Sequence, residues 1–271
     1  MYKRVITSLE KKFPLSLAES WDNVGLLVPS ATTATQTASS SGKVLLTVDL
    51  TTSVVDEAVE KSVGLIVAYH PFIFKGIKSI NLQNPQHVSL LKLIQAGIQV
   101  YCPHTAIDAA RGGVNDWLVK GITEDGNIVS NEVIDPSKID PNSGCGRIVK
   151  LNSPIALESW LPSFQKHLGV GNLLLATKSR DVQFQSVAVC AGSGAGVFAA
   201  LKEDADLYIT GELSHHEALM LKEKGKIVVC ARHSATERGF LRELAEYIEA
   251  EVDEVEVIIS SEDCDPFEFA S

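Results

Sequence analysis

The sequence predicts an α/β fold with a largely parallel, helix-covered sheet, and three observations carry that prediction. Short runs that are apolar at nearly every position alternate with stretches of helical length, as expected of parallel strands buried on both faces. The chain has 271 residues, 45% of them apolar, enough to bury a substantial core as one large α/β domain or two interlocked ones. Charged residues make up 21% and aromatics 6%, ordinary for globular material.

The elements follow in order. Met1–Phe13 reads as an amphipathic helix, with Val5, Ile6, Leu9 and Phe13 near helical spacing. Its early basic charge lacks the apolar core of a secretory signal, and Glu10 and Glu19 make it a poor mitochondrial presequence. Residues 31–42, rich in Ala, Thr and Ser, read as a mobile surface loop. Lys43–Asp49 is expected as a strand, Ser53–Lys61 as a helix that Ser53 could cap, and Gly64–Ala68 as a second strand. Pro85–Ala96 is a helix ended by Gly97, and Ile98–Cys102 a third strand. The stretch 124–180 carries Pro136, Pro141, Pro154 and Pro162 and is expected as a smaller inserted domain, with 1–123 and 181–271 forming the metal-binding domain. Ser186–Cys190, Asp206–Thr210, Ile227–Cys230 and Val255–Ile259 continue the strands, with one long helix expected over Ala235–Glu251.

Composition excludes several functions. A formal net charge of −10 argues against direct nucleic-acid binding, which clustered Lys and Arg drive. No apolar run reaches the roughly 18 residues of a spanning helix, so no membrane association is expected. The five cysteines are scattered without a C-x-x-C pair and read as free thiols in a reducing compartment. Among compartments, cytoplasm, mitochondrion and nucleus stay open.

The chemistry concentrates at strand ends, where α/β sheets bind ligands. His70 follows the strand Gly64–Ala68, and His104 follows Ile98–Cys102. A lone strand-end histidine usually just bonds a carbonyl; two at equivalent positions point further. Asp108 stands four residues after His104, so one helical turn would bring both to one face. His233 and Glu237 follow the strand Ile227–Cys230, although Ser234-Ala-Thr-Glu237 equally fits a capping box. Three imidazoles and two carboxylates without cysteine suit zinc, iron or manganese better than calcium or copper(I). Two such ions about 3.5–4 Å apart could acidify a shared water into a hydroxide nucleophile.

Weaker features remain. Gly192-Ser-Gly-Ala-Gly196 resembles a nucleotide loop, but Val197 occupies its third glycine position; the loop could still offer amides to an anion. Glu212, His215 and His216, after another strand, are candidates for extra ligands or supporting groups, with capping by Ser214 the alternative. His87 and His167 fall inside helical stretches and read as surface residues.

In order, Leu17-Ala-Glu-Ser-Trp-Asp-Asn-Val-Gly-Leu26, Tyr69-His-Pro-Phe-Ile-Phe74, His104-Thr-Ala-Ile-Asp108, Thr210-Gly-Glu212 and His233-Ser-Ala-Thr-Glu-Arg238 resemble the Nif-three-like family (NGG-one-interacting factor three). Its bacterial members are labelled type 2 GTP cyclohydrolase I homologues. The resemblance implies two interlocked α/β domains, a homo-oligomeric ring hexamer and a dinuclear metal site, with ligands falling on His70, His104, Asp108, His233 and Glu237. Tyr69 stands where the bacterial pattern has a first histidine, a form shared with eukaryotic-type members. It could ligate weakly or hold a water, or leave the second ion weak or absent. Two functions then stand side by side. One is a metal-dependent hydrolase acting on a small phosphorylated or nucleotide-like substrate; the other is a non-catalytic metal-binding partner or carrier protein.

Overall fold

The amphipathic N-terminus sets the first packing step. In the computed structural model, which describes residues 1–30, 41–123 and 125–268, Tyr2–Lys12 is helix α1. Val5 and Leu9 are buried on one side, and Lys11 and Lys12 stand at its C-terminal end, where the helix dipole favours positive charge. Most of the Ala/Thr/Ser-rich loop expected over 31–42 lies outside the described residues.

Strands β1 (Gly25–Val28) and β2 (Lys43–Thr47) lead into helix α2 (Thr52–Glu60). Its cap is Thr51, not the expected Ser53: the Val54 amide donates to Thr51 Oγ1, three residues back, whereas Ser53 already sits inside the first turn. After β3 (Leu65–Ala68), helix α3 occupies Pro85–Ala96. Asn84 caps it, Pro85 takes the position whose amide needs no partner, and Gly97 ends it at φ 70°. Then come β4 (Gln99–Cys102), α4 (His104–Ala109) and α5 (Val114–Lys120). Next follow β5 (Ile128–Pro136), β6 (Gly144–Ala156), α6 (Leu157–Leu168), β7 (Leu174–Ala176) and β8 (Gln183–Ser193). The chain closes with α7 (Ala195–Phe198), β9 (Leu207–Glu212), α8 (His215–Glu223), β10 (Ile227–Cys230), α9 (Leu241–Glu251) and β11 (Glu256–Ile259).

The residues fall into two compact units, 1–107 with 241–271, and 108–240. In the first, the sheet order among the described residues is β1-β4-β3-β2-β11, all parallel except β1. The strands are apolar on both sides, as the sequence suggested, because both faces are covered. Leu45, Ile66 and Val100 pack with Val54, Ala58, Leu90 and Leu93 of α2 and α3, while α9 packs on β2 and β11 and α1 on α9. Beyond β11 the tail is tied down. Ser260 and Ser261 hydroxyls donate to the buried Glu57 carboxylate of α2, and the Val48 amide donates to Asp263 Oδ2 at 2.7 Å.

In the second unit the order is β5-β6-β8-β9-β10-β7. Only β8, β9 and β10 run parallel; β5, β6 and β7 are antiparallel to their neighbours. Here the sheet is mixed rather than largely parallel: the short β5–β6 connection can only return antiparallel, and β6 and β7 run against β8 and β10 as well. The segment 124–180 supplies β5, β6 and β7 to this sheet, with α6 between β6 and β7 in the chain. Fully buried Arg147 forks onto Asp116 (2.7 and 3.1 Å) and also donates to the carbonyls of Gly144, Gly146 and Ala110.

One expected helix is shorter. Ala235–Glu251 opens as two 3-10 turns, Ser234–Thr236 and Arg238–Phe240, and becomes α-helical only at Leu241. Glu237 leaves helical geometry at φ −121°, and the Gly239 backbone presses on the Trp117 ring, where a Cβ would meet Cζ2 at 2.3 Å.

Candidate metal centre

In the first unit, three neighbouring parallel strands end in polar side chains: Asp49 follows β2, His70 follows β3 and His104 follows β4. His70 Nδ1 lies 2.9 Å from Asp49 Oδ1, and His104 Nδ1 lies 2.8 Å from Asp22 Oδ1. Asp22 Oδ2 also accepts from the Thr105 amide (3.2 Å) and hydroxyl. Burial works to raise the Asp22 pKa, but the hydrogen bonds from His104 and Thr105 overcome it and hold the carboxyl below its usual value. An imidazole whose Nδ1–H donates to a carboxylate keeps its lone pair on Nε2, the arrangement found behind metal-ligating histidines. The two rings lie 5.4 Å apart between centroids, and Tyr69 meets both edge to face, at 5.2 and 6.0 Å. His104 opens α4 at φ 29°, a conformation that costs a non-glycine residue energy and gathers at functional sites.

The Trp-Asp-Asn segment frames these rings. Trp21 meets His104 and Phe74 edge to face, each at 6.1 Å, and Asn23 Nδ2 donates to the Ile73 carbonyl. Spacing did not reveal Asp22 and Asp49 as orienting carboxylates. Their partners lie 82 and 21 residues away, although the strand-end rule would have found Asp49.

In the second unit the parallel strands β8, β9 and β10 end at Gly192–Ser193, Glu212 and, past Cys230, His233. His233 Nδ1 stands 3.4 Å from Glu212 Oε2, and its Nε2 stands 3.4 Å from Oε1 of the buried Glu237. Gly192, at φ +63°, makes room for this pair: a Cβ there would sit 3.0 Å from His233 Nε2 and 3.1 Å from Glu237 Oε1. Gly211 serves the same approach, since its Cβ would meet the Gly192 carbonyl at 2.5 Å. Thr236 Oγ1 locks the turn, accepting from the Gly192 amide (2.8 Å) and donating to the His233 carbonyl (2.7 Å).

Ser234 opens a 3-10 turn whose N-cap is His233, and Glu237 stands at the end of that turn, not inside an α-helix. A capping box is present at α8, where Ser214 and Glu217 bond reciprocally. His215 and His216 are exposed on that first turn, with their rings 5.2 Å apart. Asp108, one turn after His104 on α4, is half-buried; its carbonyl accepts from Asn115 Nδ2. Burial, reinforced by the charges of Asp108 and Glu237, pushes the Cys190 thiol up, so both carboxylates act on one neighbourhood of this unit. In the glycine loop after β8, the Gly192 amide is taken by Thr236 Oγ1, and the α7 that follows is a single turn. His87 and His167 are not simple surface residues. His167 stacks on Trp117 and bonds its carbonyl, and His87 Nδ1 bonds the Asn81 amide.

Fold and strand-end imidazoles together define a mixed α/β protein carrying the donor chemistry of a divalent-metal site. Residues 1–266 match the Duf34/NIF3 (NGG1p interacting factor 3) family, and the chain belongs to it. It is 45% identical to NGG1-interacting factor 3 of Saccharomyces cerevisiae over 98% of this chain and 96% of that protein. A GTP cyclohydrolase 1 type 2 homolog of Clostridium perfringens is 33% identical over 98% of each chain. Among solved structures, a Bacillus cereus protein related to NIF3 shares the fold at a TM-score of 0.82 and 20% identity, covering 99% of this chain and 98% of that one. Reduced HcgD from Methanocaldococcus jannaschii superposes at 0.77 with 26% identity, over 95% and 96% of the two chains. Among the described residues, no helix is long and apolar enough to cross a membrane.

Proposed function

We propose that this chain is a divalent-metal-dependent hydrolase, with His70, His104, Asp108, His233 and Glu237 holding two ions of zinc, iron or manganese. The observation supporting this reading is that both strand-end histidines of the first unit have Nδ1 fixed on a carboxylate, which presents Nε2 as the donor atom. The donors also fit a divalent ion: imidazole and carboxylate without thiolate, beside the space that Gly192 leaves at His233 and Glu237.

When bound, such ions lower the pKa of a water towards neutrality, so that it can attack a small phosphorylated or nucleotide-like substrate. The chain's own residues would then orient and buffer. Asp22 and Asp49 would hold the rings, Tyr69 would pack against both His70 and His104, and Glu212 beside His233 would take up a proton. His215 and His216 belong to the start of α8 in this reading, and the active form is a homo-oligomer, a hexamer by resemblance. The hydrolase reading draws support from the cyclohydrolase name of the Clostridium relative.

The name of the yeast relative supports a second reading, a metal-binding protein that acts through a protein partner. Elemental analysis of wild type against the His104→Ala/Glu237→Ala variant tests the site, and unchanged metal content overturns it. Zinc-, iron- or manganese-loaded protein should turn over a member of a phosphoester and nucleotide panel. A panel inert with every metal favours the partner reading.

A further inference from the structure

The first unit holds a second feature that the metal site does not use. The loop after β3 and the first turn of α3 line an open cleft of about 440 Å3, within the range of about 300–1,000 Å3 typical of small-molecule sites. Phe74 and Ile77 are part of its apolar lining, and its polar lining includes Lys75, Lys78, Ser79 and His87. No carboxylate lines it, in a chain whose net charge is −10. His87 Nδ1 lies 2.9 Å from the Asn81 amide, which can only donate, so the imidazole proton sits on Nε2 and that edge is a donor. The ionisable groups of this cavity therefore all favour an anion.

The aromatic surroundings extend the argument. Phe74 lines the cavity and is half-exposed; it meets the 59%-exposed Trp21 edge to face, and Trp21 in turn meets His104. Large exposed aromatics beside a cationic cavity leave planar faces open to a ring. We propose that this cavity binds the phosphate of a phosphomonoester that carries an aromatic ring, with the ring against Trp21 and Phe74. The reactive end of the molecule then lies towards His104. This rests on the hydrolase reading for its consequence, but binding at the cavity needs no metal.

The test uses full-length protein stripped of metal with a chelator. Guanosine monophosphate, guanosine and inorganic phosphate are titrated by calorimetry and followed by tryptophan fluorescence. The monophosphate should bind, guanosine should bind much more weakly, and inorganic phosphate should compete. Lys75→Gln/Lys78→Gln should weaken the monophosphate by about tenfold or more per lysine lost, and Trp21→Leu should weaken it without changing inorganic phosphate. Both lysines are exposed, so the double variant should keep the wild-type melting temperature. Equal binding of guanosine and its monophosphate, or wild-type affinity in the lysine variant, overturns the proposal. Metal content of the same variants is measured separately. Loss of phosphate binding with normal metal content upholds the cavity, whereas normal phosphate binding with no metal in any preparation defeats only the hydrolase reading.

Discussion

Replacing Asp22 with Asn changes one atom type and should reverse one hydrogen bond. In the wild type, Oδ1 takes the His104 Nδ1 proton while Oδ2 accepts from the Thr105 amide and hydroxyl. The Thr105 amide can only donate, so the single carbonyl oxygen of Asn must stay on that side. Turning the amide around would leave a buried N–H unpaired, at a cost of about 1–3 kcal/mol. The new NH2 therefore faces His104 Nδ1, which must become the acceptor, and the imidazole proton moves to Nε2. That is the nitrogen proposed to bind metal. Loss of such an orienting partner typically costs 10–100-fold in metal affinity, or about 1.4–2.7 kcal/mol. Competition for zinc or manganese against a chromophoric chelator measures it, with the thermal midpoint as a check on folding. Wild-type affinity in Asp22→Asn refutes the role of His104 Nε2. So does an equal further loss when the change is made on top of His104→Ala.

Two further predictions concern the rest of the fold. Burial would raise the Glu57 pKa, but Lys61, Ser260 and Ser261 bring it down to about 2 from 4.5. A depressed carboxyl pKa stabilises the fold above its unfolded value, and that contribution is lost as pH falls from about 4.5 towards 2. Urea unfolding of Glu57→Gln should show a deficit on the order of 2–3 kcal/mol at pH 7 that shrinks through this window; a deficit independent of pH contradicts an ionic tie. Gly192→Ala should fold with about 1 kcal/mol of backbone strain but lose metal stoichiometry, because its methyl group displaces His233 and Glu237; full metal content would count against their role.

Much of the fold was legible where local signals agree. Helix α3 was legible to the residue because Asn84, Pro85 and Gly97 each fix one terminus. The strands β3, β4 and β10 show in runs that are apolar on both faces, and the histidines show by standing just past them. What escaped was encoded in tertiary contacts. The 3-10 turns ahead of α9 bring Gly239 against the Trp117 ring, and the S-x-x-E spacing of Ser234 and Glu237 recurs at Ser214 and Glu217, where a capping box is present. Asp22 and Asp49 carry no periodic signature, since a carboxylate that orients a distant ring is recognisable only once both are in place. The antiparallel β5–β6 pair likewise follows from a short connection, not from the composition of its strands.

The carboxylate clamps on His70 and His104 also bear on how a site forms in time. A ring held at Nδ1 is no longer free to turn about its χ2 bond, so its order is established during folding and not when a ligand arrives. Little entropy then remains to be lost on capture. Ring orientation in the metal-stripped protein should match that in the loaded one, and association should be limited by dehydration of the incoming ion, not by rearrangement of the chain.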